Sequence, residues 1–235
     1  MQALRRLLIV GAGGFARETA AAVAAINTVC PTWSLLGFLD DDPLRHGEMV
    51  GGVAVLGPSS AVEEHGDAAV VICTGRPDNY TSRERIARRL GLDDQRYATI
   101  VHPAAAIGAG CAVGVGSVLL AHVALTVDVI VGRHVAVMPH VVLTHDVRAE
   151  DWVTLASGVL AGGGCQIRSG AYIGAGACLR EGTTVGERAL IGMGSIVTRD
   201  VPPGRTWYGS PARDVSAAPG AVAGEPPAVH ATAAR

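Results

Sequence analysis

The chain has 235 residues, of which 49% are hydrophobic but only two are phenylalanine, so it can bury a sizeable aliphatic core in one or two domains. The formal net charge of −2 gives no case for nucleic acid or an anionic membrane surface as partner. Five cysteines without paired spacing argue against a disulfide framework. No apolar run reaches the length of a membrane helix, and the first one stops at Gly11, too early for a signal peptide. A cytoplasmic protein is the simplest expectation.

Residues 1–100 read as strands that alternate with helices. Strand patterns cover residues 4–10, 33–39, 53–56 and 68–73, and helical patterns begin near residues 15, 59 and 80. Such alternation predicts a small parallel sheet flanked by helices, which is a Rossmann-like α/β domain.

A glycine turn, residues 11–14, joins the first strand to the first helix. Glycine lets a ligand approach the backbone closely, and the following helix N-terminus supplies free N–H groups, so the turn is a plausible cradle for nucleotide phosphate. A tight strand-to-helix turn needs glycine in any case, and a purely structural role is the alternative. The acidic cluster Asp40 to Asp42 lies later than a redox dinucleotide fold would place its acidic residue, which favours a nucleotide or nucleotide-sugar site.

From Ile107 to Pro202 the sequence keeps a six-residue period without insertion or deletion. In fourteen of sixteen hexads the first position is Ile, Leu or Val, and the fifth is always small or short-branched. The fifth position precedes the next first position by two residues, so both point to the same face of a short strand. Glycine recurs at the second and fourth positions, where we expect corners that tolerate a positive φ.

This period predicts a parallel β-helix with three faces and about five coils, in which residues eighteen apart stack on successive coils. A generic β-sandwich would not keep an uninterrupted six-residue repeat from Ile107 to Pro202. Periodicity alone does not set the hand of the solenoid. The expected domains are therefore 1–100, Rossmann-like, and 101–213, solenoid, followed by a disordered Ala/Pro/Gly-rich tail, 214–235.

Corner glycines are missing between Leu119 and Ser157, except Gly132, which suggests that this band of the solenoid builds a site. Within it, His145 and Asp146 take the third and fourth positions of a hexad, and both should project outward. Imidazole suits proton abstraction near neutral pH, and the adjacent carboxylate can orient it. Gly163, one coil later, would leave room beside the ring and offer an N–H to a developing oxyanion.

Two other histidines, His122 and His140, are eighteen apart and should stack. Two stacked histidines could bind a metal, but no third ligand is compelling, so we expect no metal site. We interpret them as edge or subunit-contact residues.

Several motifs together resemble a known family: GAGGFARE after the first strand, FLDDD, IVHPAA at the domain join, the hexapeptide repeats, THD and YGSPAR. The chain resembles the bacterial sugar O-/N-acetyltransferases of the sialic acid O-acetyltransferase and UDP-amino-sugar N-acetyltransferase type. The likeness extends over nearly all of residues 5–213.

The resemblance implies a left-handed β-helix, a homotrimer with active sites between neighbouring prisms, and acetyl transfer from acetyl-CoA to an amine or hydroxyl of a nucleotide-linked sugar. It implies His145 as general base and Asp146 as its acidic partner, with Gly163 donating to the thioester carbonyl. Candidate acceptor-binding residues are Gly11, Ala12, Gly13, Gly14, Phe15, Asp40, Asp41, Gly75 and Arg76. Candidate contacts to CoA, besides Gly163, are Gly164, Arg180, Gly194, Arg199 and Arg213, although the three arginines could equally be solvated.

This chain departs from the family pattern at three positions: Phe15 and Thr154 replace histidines, and Met138 replaces an asparagine. Their loss indicates a different acceptor. Two other functions stay open, an acyltransferase acting on an amino acid or antibiotic precursor, and a catalytically silent trimeric scaffold that binds nucleotides.

Overall fold

The computed structural model describes residues 3–216. It begins with an α/β unit built from β1 (Arg5–Val10), α1 (Gly14–Val29), β2 (Trp33–Leu39), β3 (Met49–Val50), β4 (Val53–Gly57), β5 (Ala69–Ile72) and α2 (Ser82–Leu90). Short 3₁₀ helices cover Pro43–Arg45, Ser59–His65 and Asp94–Arg96. The sheet order is β3-β4-β2-β1-β5, and only the β3–β4 pair is antiparallel.

The interior strand β1, between β2 and β5, is covered on both faces, as expected for a parallel sheet. Leu7 and Ile9 pack into the cluster that includes α1, whereas Leu8 and Val10 pack into a second cluster with Ile86 of α2. The alternation of side chains along the strand therefore sends two apolar pairs into two separate cores. The strands and helices expected from the sequence are present, and the short strand β3 was not expected.

Two-residue strands then follow at six-residue intervals. They are β6 (Ile100–Val101), β7 (Ala106–Ile107), β8 (Ala112–Val113), β9 (Val118–Leu119), β10 (Ala124–Leu125), β11 (Ile130–Val131), β12 (Ala136–Val137), β13 (Val142–Leu143), β14 (Arg148–Ala149), β15 (Thr154–Leu155), β16 (Leu160–Ala161), β17 (Gln166–Ile167), β18 (Tyr172–Ile173), β19 (Cys178–Leu179), β20 (Thr184–Val185), β21 (Leu190–Ile191) and β22 (Ile196–Val197). A terminal hairpin consists of β23 (Thr206–Gly209) and β24 (Ala212–Asp214).

Strands eighteen residues apart pair in parallel and form the three expected faces. Face 1 contains β6, β9, β12, β15, β18, β21, β23 and β24; face 2 contains β7, β10, β13, β16, β19 and β22; face 3 contains β8, β11, β14, β17 and β20. The turns between them are called the 1–2, 2–3 and 3–1 corners. The inferred inward positions from Ser117 to Val201 are all buried, whereas on the first coil Ile107 is 42% exposed and Cys111 and Val113 are half-buried.

The corner glycines serve two purposes, of which the sequence suggested only one. The eight glycines at fourth positions all have φ between 66° and 74°. The seven at second positions do not have a positive φ, and a Cβ built there would lie 1.5–2.7 Å from atoms of a neighbouring coil or strand. The expectation of positive φ is therefore wrong for the second positions, where glycine instead lets the coils stack closely.

The predicted domain limits fall inside structural elements. β6 spans the predicted boundary at residue 100 and pairs with β9, so the solenoid begins at Ile100. The predicted tail begins at the last residue of β24, and its residues 217–235 lie outside the described part of the chain. No helix within residues 3–216 combines the length and hydropathy that crossing a membrane requires.

Candidate active site

The His145 corner is held rigidly between β13 and β14, on the 2–3 corner. Leu143 and Val147 anchor it in the core, and the backbone is tied to both neighbouring coils: Asp146 N–H donates to the Val127 carbonyl (3.1 Å) and the His145 carbonyl accepts from Gly164 N–H (2.8 Å). Asp146 takes the left-handed conformation, φ 62°, which aspartate tolerates better than most residues. The corner therefore fixes the backbone while its side chains stay free.

The imidazole of His145 and the carboxylate of Asp146 form a hydrogen-bonded pair. Nδ1 of the ring lies 2.9 Å from Oδ2 of Asp146, and the side chains are 63% and 66% exposed. Because an ionised carboxylate can only accept, Nδ1 carries the proton and Nε2 of a neutral ring presents its lone pair. The pair has the arrangement that a general base requires.

Gly163 lies directly beside this ring, as the eighteen-residue register predicts. A Cβ at Gly163 would lie 2.3 Å from Cε1 and Nε2 of His145, so only glycine leaves space for the imidazole in this position. The Gly163 carbonyl accepts from Gly182 N–H at 2.8 Å. Its own N–H makes no hydrogen bond within residues 3–216. The imidazole of His145 and a backbone N–H that has no hydrogen bond within residues 3–216 thus lie side by side on this corner.

The other candidate CoA contacts fall into two groups. Gly164, Arg180 and Arg199 continue along the 2–3 corner, and the Arg199 guanidinium lies over the Trp207 ring, 5.2 Å from its centroid. Gly194 lies on the 1–2 corner, and Arg213 lies exposed in β24. The structure therefore brings the first group, but not the second, onto the edge that carries His145.

The glycine turn lies at the carboxyl edge of the α/β sheet, at its switch point. β1 has β2 on one side and β5 on the other, and ligands of open α/β sheets bind in the crevice that such a reversal opens. The turn follows β1, and the loop with Gly75 and Arg76 follows β5. The topology thus places both groups of candidate acceptor residues at one crevice.

Within the turn, the glycines have different surroundings. Gly11 has φ 102°, and a Cβ there would lie 2.7 Å from the Cys73 carbonyl oxygen, so the fold itself requires glycine. Gly13 and Gly14 have ordinary φ values and nothing within 4 Å of a built Cβ. Their lack of a side chain leaves open space at the N-terminus of α1, which suits a ligand more than the fold. Phe15, next in sequence, packs partly buried against the core.

The two acidic candidates are both engaged by the protein. Asp40 accepts from the N–H of Ala12 at 2.9 Å, which ties the glycine turn to the end of β2. Asp41 accepts from Ser59 N–H and Oγ and from Arg89, and although burial raises its pKa, these hydrogen bonds hold the pKa below its ordinary value. Neither carboxylate is left unengaged for a ligand.

In the loop after β5, Gly75 has φ 131° and Arg76 is exposed and paired with Asp78 at 3.3 Å. A Cβ at Gly75 would lie 2.5 Å from Nη1 of Arg83. Sequence reasoning missed Arg83. The available signal was its place on the apolar side of α2, three residues before Ile86 and seven before Leu90.

The positions that depart from the family pattern also have defined surroundings. Phe15 and Met138 both pack against the apolar cluster that contains Ala12 and Ala16. Thr154 accepts from Arg83 through Oγ1 at 2.8 Å. The histidines His122 and His140 stack as expected, with ring centroids 5.0 Å apart. Within residues 3–216 no group of three or more His, Cys, Asp or Glu is placed to hold a metal ion.

Comparison with known proteins agrees with this architecture. The family model described as the PglD N-terminal domain matches residues 6–90. No curated protein sequence matches the chain significantly. Among solved structures, the acetyltransferase domain of PglB from Neisseria gonorrhoeae FA1090 is 26% identical over 90% of this chain and 100% of its own, with a TM-score of 0.78.

Two other solved structures extend the similarity. A mutant of perosamine N-acetyltransferase from Caulobacter crescentus, in complex with CoA and GDP-perosamine, is 26% identical over 90% of this chain and 97% of its own, with a TM-score of 0.78. WeeI from Acinetobacter baumannii AYE is 26% identical over 90% and 100%, with a TM-score of 0.75.

The resemblance to the bacterial sugar acetyltransferases that the sequence motifs indicate is confirmed by these similarities. The predicted fold class is confirmed: a Rossmann-like α/β unit is followed by a left-handed parallel β-helix. The predicted enzyme class, acyltransferase, is confirmed as well.

Proposed function

We propose that this acetyltransferase moves an acetyl group from acetyl-CoA to an amine or hydroxyl of a nucleotide-linked sugar, with His145 as general base. The observation that carries the proposal is the His145 ring, oriented by Asp146 and lying against Gly163, whose N–H makes no hydrogen bond within the described residues. Because both substrates are products of cytoplasmic metabolism, we place the reaction in the cytoplasm.

In the proposed mechanism, Nε2 of His145 removes a proton from the acceptor nitrogen or oxygen as that atom attacks the thioester carbonyl carbon. Asp146 stabilises the imidazolium, and Gly163 N–H donates to the oxyanion of the tetrahedral intermediate. Collapse expels the CoA thiolate, which takes up the proton from Nε2. A positioned base contributes about 10²–10⁴-fold and one oxyanion donor about 10²–10³-fold to the rate.

The donor is proposed to lie along the 2–3 corner. Arg180 and Arg199 follow Gly163 by one and two coils, or about 5 and 10 Å at the usual strand spacing of about 4.8 Å. Trp207 holds the Arg199 guanidinium over its ring, which limits its motion. Both cations could then meet the phosphates of CoA. The Caulobacter relative, crystallised with CoA, supports a CoA thioester as donor.

The acceptor is proposed to bind at the crevice between β1 and β5. Gly13 and Gly14 leave room for a diphosphate at the N-terminus of α1, whose dipole favours an anion. The Caulobacter relative holds GDP-perosamine, an amino sugar carried by a nucleotide, which supports this acceptor class. Phe15 and Met138 make the neighbourhood of the turn apolar.

A homotrimer with active sites between copies completes the proposal. The cluster around the glycine turn includes Leu120 and packs against Met138, both on the 1–2 corner, whereas His145 stands on the 2–3 corner, across face 2. A neighbouring copy would bring the two corners together. Face 2 also presents an apolar ladder of outward residues suited to such contact: Ala106, Ala124, Val142, Leu160, Cys178 and Ile196.

The test is release of CoA thiol from acetyl-CoA with a panel of nucleotide-linked amino sugars and hydroxyl sugars and, separately, amino acids. We expect turnover with a nucleotide sugar, and His145→Ala should lower kcat by about 10²–10⁴-fold. The matched control is His65→Ala, because His65 contacts Arg6, toward the amino end of β1 and away from the glycine turn. Wild-type turnover in His145→Ala would show that the base is misassigned. Turnover with amino acids and not with nucleotide sugars would show that the acceptor is an amino acid.

A further inference from the structure

Arg83 is a buried cation without an acidic partner. Only 2% of the residue is exposed, and it forms no ion pair within residues 3–216. Its acceptors are all neutral: Nη1 donates to the Thr74 carbonyl (2.8 Å), Nε to the His134 carbonyl (3.2 Å), and Nη2 to Trp152, Val153 and Thr154. One guanidinium thus joins α2, the loop after β5 and the solenoid.

Burying a charge without an acidic partner carries a large free-energy cost of desolvation, whereas an apolar residue would carry no such cost. Burial lowers the pKa of Arg83 from 12.5 to about 10, so the side chain keeps its charge at neutral pH. Only arginine has donors that fan out in a plane far enough to reach all three elements. The desolvation cost of the Arg83 guanidinium therefore indicates a role beyond packing.

The guanidinium also lies beneath the acceptor crevice. A Cβ at Gly75 would lie 2.5 Å from Nη1 of Arg83, and a Cβ at Gly11 would lie 2.9 Å from Cγ2 of Thr74, the residue whose carbonyl Arg83 holds. The loops that follow β1 and β5 are therefore packed on one another and, through Arg83, on the 3–1 corner. Arg83 thus adds a polar tie at the loop after β5 to the apolar packing of α1 on Val118 and Leu120.

We infer that Arg83 is a positioning residue for the acceptor: it fixes the loop after β5 to the β-helix, so that a nucleotide bound at the crevice presents its sugar at the height of the catalytic corner. This role rests on the proposed function. Arg83 acts through the loop after β5. Its hydrogen bonds to the solenoid are with the 3–1 corner and Thr154, not with the 2–3 corner proposed to bind acetyl-CoA.

The test compares Arg83→Lys, which keeps the charge but loses the planar fork, with Arg88→Lys on the same helix, whose side chain is 74% exposed and paired with Glu84. We expect Arg83→Lys to raise KM for the nucleotide sugar roughly tenfold and to leave KM for acetyl-CoA unchanged. Arg88→Lys should change neither. Unchanged KM for the nucleotide sugar, or an equal rise in both KM values, would overturn the inference.

A binding measurement separates this inference from the proposed reaction. Calorimetry with GDP and UDP first identifies which nucleotide the wild type binds more tightly. Arg83→Lys should bind that nucleotide more weakly than the wild type does, and sedimentation should show the same oligomeric state for both proteins. If the wild type bound a nucleotide but transferred no acetyl group, the proposed function would fail while the effect of Arg83 on the crevice could still be measured. A fall in melting temperature without a change in nucleotide affinity would reduce Arg83 to a structural residue.

Discussion

At the scale of single residues, Gly11 and Gly14 stand three positions apart and meet opposite constraints. Gly11 adopts φ 102° against the Cys73 carbonyl, so a side chain is excluded by the protein itself. Gly14 is the first residue of α1, and within residues 3–216 nothing lies within 4 Å of a Cβ built there. The packing of residues 3–216 therefore does not require a glycine at position 14.

We predict that Gly14→Ala keeps or raises the melting temperature but raises KM for the nucleotide sugar, because the new methyl group occupies the space proposed for the diphosphate. Gly11→Ala should lower the melting temperature, since strain and a contact at 2.7 Å act on the folded state. Thermal unfolding and steady-state kinetics of both variants provide the check. An unchanged KM in Gly14→Ala would leave the turn with a purely structural role.

The sequence alone was enough to place His145 beside Gly163. Because the six-residue period is uninterrupted, the number of each residue gives its corner and its coil in the β-helix. The sequence alone did not indicate the protein partners of Asp41. Ser59 and Arg89 donate hydrogen bonds to this carboxylate, and both come from segments that only the folded sheet brings alongside.

At the scale of the repeat, the band without corner glycines carries backbone strain. Within residues 3–216, seven non-glycine residues have a positive φ, and all stand at the fourth position of a hexad: His122, Asp128, His134, His140, Asp146, Trp152 and Arg188. Each such residue costs on the order of 1–2 kcal/mol relative to glycine. Six of the seven fall in the band from 119 to 157, so the solenoid accepts strain on the coils that carry the candidate base.

His134 shows what one of these positions does to stability. Its ring stacks on Trp152 with centroids 4.3 Å apart and meets Tyr97 edge-on. Its Nδ1 is buried and has no hydrogen-bond partner among the residues that the structure describes. Burial, and then the charges of Arg133 and Arg83, lower the pKa of His134 from 6.5 to about 4. The folded protein therefore binds this proton less readily than the unfolded chain does.

Since the unfolded chain takes up the proton first, the free energy of unfolding should fall as pH decreases from about 6.5 towards about 4. We predict that His134→Asn, which suits the positive φ, loses this part of the pH dependence. Melting temperatures of both proteins between pH 7.5 and 4.5 test it. Parallel curves for the two proteins would mean that other groups dominate acid sensitivity.

At the scale of the whole molecule, the proposed reaction needs the acceptor crevice beside the 1–2 corner and His145 on the 2–3 corner. Within one chain, face 2 separates these two corners. The apolar ladder on that face includes Leu160 and Ile196, which are 46% and 43% exposed. A neighbour packed there would bury this surface and supply the missing half of the site.

We predict that Leu160→Asp dissociates the assembly and lowers kcat/KM at least about tenfold, because burying an unpaired carboxylate in an apolar contact is strongly unfavourable. Val29→Asp, at the 73% exposed end of α1, is the matched control and should leave both properties intact. Sedimentation velocity and the thiol-release assay give the two readouts. An active wild-type monomer would contradict the proposed arrangement.

The sequence by itself determined the solenoid, its three faces and the arrangement of His145, Asp146 and Gly163. These follow from the six-residue repeat, because without insertions or deletions residues eighteen apart lie on successive coils. Only the tertiary structure decided how the α/β unit sits on the coils. Arg83 reads as one of five arginines within residues 83–96 until α2 docks on the 3–1 corner and buries it. The hydrogen bonds of Arg83 to the solenoid join segments about fifty to seventy residues apart. The spacing of residues along α2 can place Arg83 on an apolar face, but it does not indicate which segment packs against that face.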